Sequence, residues 1–388
     1  MKVRLFLLMK PKVLHVIDHT AEGGAQVVVR QLIENLGSQF AFTIAVLGRS
    51  GRFSEAYRGL GIGVLELSDR QGRWNPFSIF RLIKAIRRDG YDLVHVHLFK
   101  SSILGVFAAR CTRRKVILHD HNSINPRFLK FYLRFPARSI YLLLYRFVLH
   151  ICHRIVVLTP SASKIYHEIY RIDLKKIAVV ANGVDLPSVS YLKNNVRESI
   201  HYELGLPFDT QLVIMAARLE PEKDWITFLN VAQYVPKLTR ISCAFLVIGI
   251  GSQEHDLRTY VATNRIDRVY FLGYRDDVLR LMAGADVFLL TSRFEPFGIV
   301  VLEAMMIGCP VVATRSGGPE SILTHEFNGL LSDVGDVEHL SQQVVATMQN
   351  ETLRRLLIRN ARETVVELYN IQRTTSLTAE IYKQILSQ

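Results

Sequence analysis

Two glutamates, Glu295 and Glu303, stand in the segment Ser-Arg-Phe-Glu-Pro-Phe-Gly-Ile-Val-Val-Leu-Glu-Ala-Met that fills residues 292–305. Carboxylates accept hydrogen bonds from hydroxyl groups. The flanking residues add a second chemistry. The apolar run Val287–Leu290 reads as a buried strand, Ile299–Met306 as a helix, and Pro310–Ala313 as the next strand. The loop of Glu295, Pro296, Phe297 and Gly298 therefore joins a strand's carboxyl end to a helix's amino end. Ligands of open α/β sheets bind there, and the free N–H groups of a helix start attract phosphate. Hydroxyl acceptors beside phosphate donors suit a sugar nucleotide.

The elements that position this loop recur along the whole chain of 388 residues, a length that predicts about two domains. Candidate strands lie at 12–17, 42–47, 63–67, 93–97, 116–118, 154–158 and 177–180, and again at 211–216, 242–248, 269–272, 287–290, 310–313 and 329–331. In the first half they alternate with helical patterns at 26–36, 53–60, 76–89, 101–110, 138–150 and 161–169, which predicts α/β layers on mostly parallel sheets. The prolines and charges of 183–207 mark the junction. Four cysteines, Cys111, Cys152, Cys243 and Cys309, show no paired spacing, which fits a reducing cytoplasmic setting without a disulfide framework or thiolate metal site. No apolar run reaches the length of a membrane span, and the first twelve residues lack the pattern of a signal peptide.

Here the pattern resembles a known family. Glu295 and Glu303, with Phe-Gly after the first and Gly308-Cys309-Pro310-Val311-Val312 and Gly317-Gly318-Pro319-Glu320 beyond the second, look like the E-x7-E signature of the retaining glycosyltransferases of family 4. The resemblance implies a GT-B architecture, two Rossmann-like doubly wound domains facing across a cleft. It places an acceptor-side domain at 1–190, a nucleotide-sugar domain at 191–370, and at 371–388 a helix that crosses back to the first domain. It also implies roles: Glu303 on the ribose hydroxyls, Glu295 facing the transferred sugar, and the amides of Phe297, Gly298, Ile299 and Val300 on sugar hydroxyls or phosphate.

Met215–Asp224 resembles the family's G-R-x-x-x-x-K-G segment, with Arg218 and Lys223 at the positions that grip the donor diphosphate, and with Ala217 and Asp224 in place of its glycines. A guanidinium fork and a mobile ammonium suit a diphosphate that departs with extra charge. Gly249 and Gly251 resemble a G-x-G loop beside the nucleotide, though a tight turn would look the same; Tyr274 and Arg275 fall in a segment that resembles the one by which the family contacts the base through its backbone. Asp276-Asp277 reads as a solvated helix start, because the family requires no metal-binding D-x-D. In the first half, Gly23 and Gly24 resemble the amino-terminal glycine loop. His121 or His119, in Leu118-His119-Asp120-His121-Asn122, takes the place of the family's histidine near sugar and acceptor, with His121 favoured by alignment. His95 and His97 read as strand residues of cleft or core, and zinc is not expected among these histidines, which lack a thiolate or a spaced partner.

The reading is therefore a metal-independent, cofactor-free glycosyltransferase for a hexose or N-acetylhexosamine, with a UDP-sugar donor and a lipid-linked or polysaccharide acceptor. Charge bears on the acceptor. Residues 1–200 carry 31 Lys+Arg against 13 Asp+Glu, whereas the rest of the chain is net negative. Between Asp120 and Glu168 there is no acidic residue, while Arg127, Lys130, Arg134, Arg138 and Arg146 are interleaved with aromatics. Such a segment suits the anionic inner face of a membrane, as a peripheral protein; no nucleic-acid motif is present. The rivals are a GT-B nucleotide-sugar epimerase, a silent GT-B protein that binds a glycan or membrane, and an oxidoreductase resting on glycine turns alone.

Overall fold

The computed structural model describes residues 10–21, 23–68, 77–121, 137–185 and 195–388. Two compact units emerge: 1–182 together with 371–388, and 183–370. The first boundary falls before the expected 190/191 junction. Val184 accounts for part of the difference, because its N–H donates to the Tyr369 carbonyl at 2.9 Å and it bridges Asn370, both in the second unit.

All thirteen strands expected from the sequence form, with ends shifted by a residue or two. The first unit holds β1 (Lys12–Ile17), β2 (Ala41–Val46), β3 (Gly63–Glu66), β4 (Leu93–His97), β5 (Lys115–Asp120), β6 (Arg154–Val157) and β7 (Ile177–Val179), in the order β3-β2-β1-β4-β5-β6-β7. The second holds β8 (Gln211–Ala216), β9 (Cys243–Ile248), β10 (Val269–Gly273), β11 (Val287–Leu290), β12 (Val311–Thr314) and β13 (Leu330–Ser332), in the order β10-β9-β8-β11-β12-β13. Every pairing is parallel. Strands buried on both faces read as continuous apolar runs, as in the fully buried Cys243–Ile248. Strand order reverses between β1 and β4 in one sheet and between β8 and β11 in the other. The crevice at such a reversal is where an open α/β sheet binds ligands.

On one face of the first sheet, Leu14, Val16, Val94, Val96, Val116 and Leu118 join a core with Leu82 and Ile86 of helix Ser78–Asp89, Val106 of Phe99–Cys111 and Tyr145 of Ala137–Ile151. A helix stands where 371–388 was expected to hold one. Helix Glu351–Leu368 ends at Tyr369, and a new helix, Ile371–Leu386, belongs to the first unit, where it packs on helix Gly24–Leu36.

Candidate active site

In the second unit the site grows from the β8/β11 reversal. The chain leaves β8 through a single 3-10 turn, Pro221–Lys223, and leaves β11 through Thr291–Gly298. Backbone and side-chain bonds stitch the two loops together. The Glu222 carbonyl accepts from the Arg293 N–H at 2.9 Å, and the Thr291 hydroxyl donates to the Asp224 carbonyl at 3.0 Å. Lys223 Nζ then reaches Glu295 Oε2 at 2.5 Å, with side chains only 14% and 10% exposed. The cation expected to grip a diphosphate and the carboxylate expected to face a sugar are thus brought into direct contact.

Asp224, standing where the resemblance has glycine, adopts φ +50°, a left-handed conformation that favours glycine. Its carboxylate compensates with bonds to Thr227 Oγ1 at 2.9 Å and the Arg293 guanidinium at 2.9 Å.

Glycines set the Glu295 loop. The Glu295 N–H donates to the Ser316 carbonyl at 3.0 Å, and its carbonyl accepts from the Gly318 N–H at 2.7 Å. A Cβ on Gly318 would lie 2.3 Å from Phe297 backbone atoms. Gly298, at φ +91°, turns the chain into helix Ile299–Ile307, which starts with neither a side-chain cap nor an acidic residue in its first turn. Its leading N–H groups remain available to an anion. Phe297 is buried, and Ile299 and Val300 are half-buried at this start. Glu303, one turn further, is half-buried; burial of its carboxyl pushes the pKa up to about 7.

The other expected residues differ in character. Arg218 donates to Glu222 Oε1 at 2.8 Å. A Cβ on Gly249 would meet the Ala217 carbonyl oxygen at 2.0 Å, and one on Gly251 the Leu219 carbonyl oxygen at 2.4 Å. Both glycines therefore let the β9 loop lie on the backbone after β8. Tyr274 is exposed and bonds Asp276. The Arg275 guanidinium is held between Asp277 at 2.7 Å and Glu203 at 2.8 Å, with Arg280 joining the same two carboxylates. Asp277 stands at the start of helix Val278–Ala283, partly exposed, and its two arginines hold its carboxyl well below the usual range.

In the first unit, Gly23 caps and Gly24 opens helix Gly24–Leu36 beside the buried Gln26, whose amide donates to the His19 carbonyl at 3.0 Å. The neighbouring helix start at Phe99 already holds an anion: Asp18 accepts from the N–H groups of Phe99, Lys100 and Ser101. His119 and His121 sit on and just beyond the end of β5, 1% and 7% exposed. Burial lowers both pKa values, His121 to about 3, so both rings are neutral near pH 7. They do not stand alone. His15, His95 and His97 complete a group of five buried imidazoles. His15 escaped the sequence reading; the visible signal was His-x-His, twice, on strands whose period of two aims both rings to one face. Asn122, Arg127, Lys130 and Arg134 lie outside the described residues.

Comparison with known proteins agrees with this geometry. The profile of glycosyl transferases group 1 matches residues 196–364, and that of Glycosyltransferase Family 4 matches 22–187. The Escherichia coli UDP-Gal:alpha-D-GlcNAc-diphosphoundecaprenol alpha-1,3-galactosyltransferase is 28% identical over 79% of this chain and 78% of its own length. The Bacillus anthracis N-acetyl-alpha-D-glucosaminyl L-malate synthase is 31% identical over 55% of each chain. Anabaena HepE, solved in complex with UDP-glucose, superposes with a TM-score of 0.84 at 20% identity, over 96% of this chain and 99% of that one. Sequence profiles over both halves, two reversing parallel sheets and a paired Lys223 and Glu295 at the second reversal converge: the chain belongs to the group 1 glycosyltransferases of GT-B fold.

Proposed function

We propose that this glycosyltransferase is a retaining member of family 4. It moves a hexose or N-acetylhexosamine from a UDP-sugar to a lipid-linked glycan, with no metal in the donor site. The carrying observation is the Lys223–Glu295 contact at the β8/β11 reversal, beside an uncapped helix start. Lys223, with three N–H donors, bridges the diphosphate and Glu295; Arg218 exchanges Glu222 for a phosphate oxygen. The amides at 298–300 take phosphate or sugar oxygens, Glu295 the sugar hydroxyls, and Glu303 the ribose. The bond from the anomeric carbon to the phosphate oxygen breaks. The acceptor oxygen bonds that carbon on the same face, and its proton passes to the departing phosphate. In the first unit, the Gly23–Gly24 turn and His121, with His119 beside it, are assigned to the acceptor side.

The E. coli relative's name carries both UDP-Gal and a diphosphoundecaprenol acceptor, which supports the donor and the lipid carrier. A membrane-facing acceptor also suits helix Ala137–Ile151. Its Ile140, Leu143, Leu144 and Phe147 recur at helical spacing and are 40–72% exposed, while Tyr141, Tyr145, Val148 and Leu149 face the core. Among the described residues no helix is long and apolar enough to cross a membrane, so this reading places the helix on the surface of the bilayer.

A thermal-shift comparison of UDP, GDP, ADP and NAD without added metal, on the wild type and Lys223→Ala, tests the donor. Stabilisation by UDP that the variant loses supports the reading, since a ligand raises the midpoint by mass action. Stabilisation by GDP or ADP alone replaces the donor. No response to any nucleotide favours a silent GT-B protein, and conversion of a UDP-sugar without an acceptor favours an epimerase.

A further inference from the structure

Two ion pairs of opposite polarity cross between the same two loops of the second unit. Lys223, on the loop after β8, meets Glu295 on the loop after β11 at 2.5 Å. The next residue, Asp224, meets Arg293 on the loop of Glu295: Arg293 Nε lies 2.9 Å from Asp224 Oδ2, and Nη2 donates to Oδ1 at 3.4 Å. Both carboxylate oxygens thus face one guanidinium, a fork that fixes direction as well as distance. The opposite assignment, Lys223 with Arg293 and Asp224 with Glu295, would set like charges face to face, so the two pairs admit one register of the loops. The Asp224 side chain is 3% exposed and that of Arg293 58%, so this second pair reaches the surface, whereas the Lys223–Glu295 contact is nearly buried.

Local structure gives position 224 no reason to be an aspartate. Its φ of +50° favours glycine, the residue that the resemblance has at this place. An aspartate that opens a helix ordinarily accepts from the N–H groups of the first turn. Helix Trp225–Leu238 starts at once after Asp224, yet it has no side-chain cap. The carboxylate is turned instead to Thr227 Oγ1 at 2.9 Å and to Arg293. An unfavourable backbone and a buried charge are both retained, and the fork they secure runs to the loop that carries Glu295. Uncharged bonds follow the same path. The Thr291 hydroxyl donates to the Asp224 carbonyl at 3.0 Å, and the Arg293 N–H donates to the Glu222 carbonyl at 2.9 Å.

We propose that Asp224 and Arg293 are positioning residues of the donor site, which keep the two loops in register when a donor diphosphate draws Lys223 away from Glu295. The inference rests on the donor reading above, in which the Lys223 ammonium divides its three N–H donors between Glu295 and phosphate. On that reading the inner contact is weakened by the very ligand it serves. The outer pair is not, since neither Asp224 nor Arg293 is assigned to the ligand. It acts through its neighbours: Asp224 fixes the backbone that carries Lys223, and Arg293 fixes the loop that presents Glu295. A misplacement of about 1 Å can cost on the order of 100-fold in rate, so the loops need a tie that donor binding does not consume. The fork supplies it, and a glycine at 224 could not.

Hydrogen exchange of segment 291–298, followed by mass spectrometry in the full chain, tests the tie without any nucleotide. Asp224→Asn keeps a residue that tolerates the left-handed backbone and removes the charge; Lys223→Met removes the inner pair. Each alone should raise exchange about threefold or less, because the other pair still holds the loops, and together they should exceed the product of the two by about tenfold. A double variant that does not exceed that product overturns the proposal. Asp224→Asn should also bind UDP about tenfold more weakly by calorimetry, with a thermal midpoint within a few degrees of the wild type. Unchanged UDP affinity in that variant leaves a merely structural clamp and overturns the positioning role. If Asp224→Asn does not fold, Arg293→Lys, which keeps the charge but not the fork, replaces it in every arm. A wild type that binds no nucleoside diphosphate sinks the donor reading, a result separate from the exchange, and takes the positioning role with it.

Discussion

Lys223 and Glu295, 72 residues apart in sequence, touch at 2.5 Å in a nearly buried ion pair. Removing one member of such a pair leaves an uncompensated charge, a loss of about 3 kcal/mol. Lys223→Ala and Glu295→Ala should each lower stability by that order, and the double variant by clearly less than the sum of the two. Urea unfolding of the four proteins gives the coupling; strictly additive losses would show that the pair makes no net contribution. Turnover should fall by roughly 100- to 1,000-fold in Lys223→Ala if its ammonium stabilises the departing diphosphate.

Glu303 titrates near neutrality. Its raised pKa, about 7, means a neutral carboxyl below that pH and a carboxylate above it. If the carboxylate accepts ribose hydroxyls, UDP-glucose should bind about tenfold more tightly at pH 8 than at pH 6. Calorimetry at the two pH values checks this, and Glu303→Gln should flatten the difference. A pH-independent affinity in the wild type would remove Glu303 from the nucleotide site.

Gly318 supports the Glu295 loop by lacking a Cβ. Gly318→Ala should cost about 2–3 kcal/mol through backbone overlap at Phe297, and activity should fall with it. Gly59→Ala is the control. Nothing lies within 4 Å of that position, so the change there should be neutral or slightly stabilising. A crystal structure of Gly318→Ala with an unmoved 295–297 loop would refute the account.

The five histidines make the first unit acid-sensitive. Their folded pKa values lie below the ordinary 6.5, about 3 for His15 and His121, first because of burial. The unfolded chain therefore binds more protons in acid. The stability these groups contribute is full above pH 6.5 and is lost as pH falls from there toward the folded values. Each group removes up to roughly 1.4 kcal/mol per pH unit. The protein should thus show a steep fall in its urea midpoint between pH 6.5 and 5.5. A flat profile over that window would mean that the rings are already protonated in the native state.

Helix Ala137–Ile151 should carry the membrane contact. Replacing Leu143 and Phe147 by Glu, at sites 72% and 52% exposed, should leave the thermal midpoint within a few degrees while reducing sedimentation with anionic vesicles several-fold. Equal sedimentation by the double variant would move the contact elsewhere.

The sequence carried the strands plainly, because parallel strands buried on both faces become apolar runs such as Cys243–Ile248. Helix Ile299–Ile307 was legible for a similar reason: it is apolar on most sides and bounded by Gly298 and Gly308. Pairings across the fold were not. Lys223 meets Glu295 only because β8 neighbours β11, and no local pattern states strand order. Likewise His15 joins His97 through register. Arg275 shows the same for a side chain. The motif concerns its backbone and says nothing of its guanidinium, which is engaged by Glu203 from the distant helix Val196–Leu204.

Helix Ile371–Leu386 gives the histidine face a history. Tyr382 is fully buried against His95 and Phe40, yet it is translated 287 residues after His95. At about 5–20 residues per second, the ribosome takes roughly 15–60 s to cover that interval. During this time the amino-terminal sheet exists without the side chain that closes it. His95 Nδ1 lacks its hydroxyl partner until the helix that carries Tyr382 is delivered.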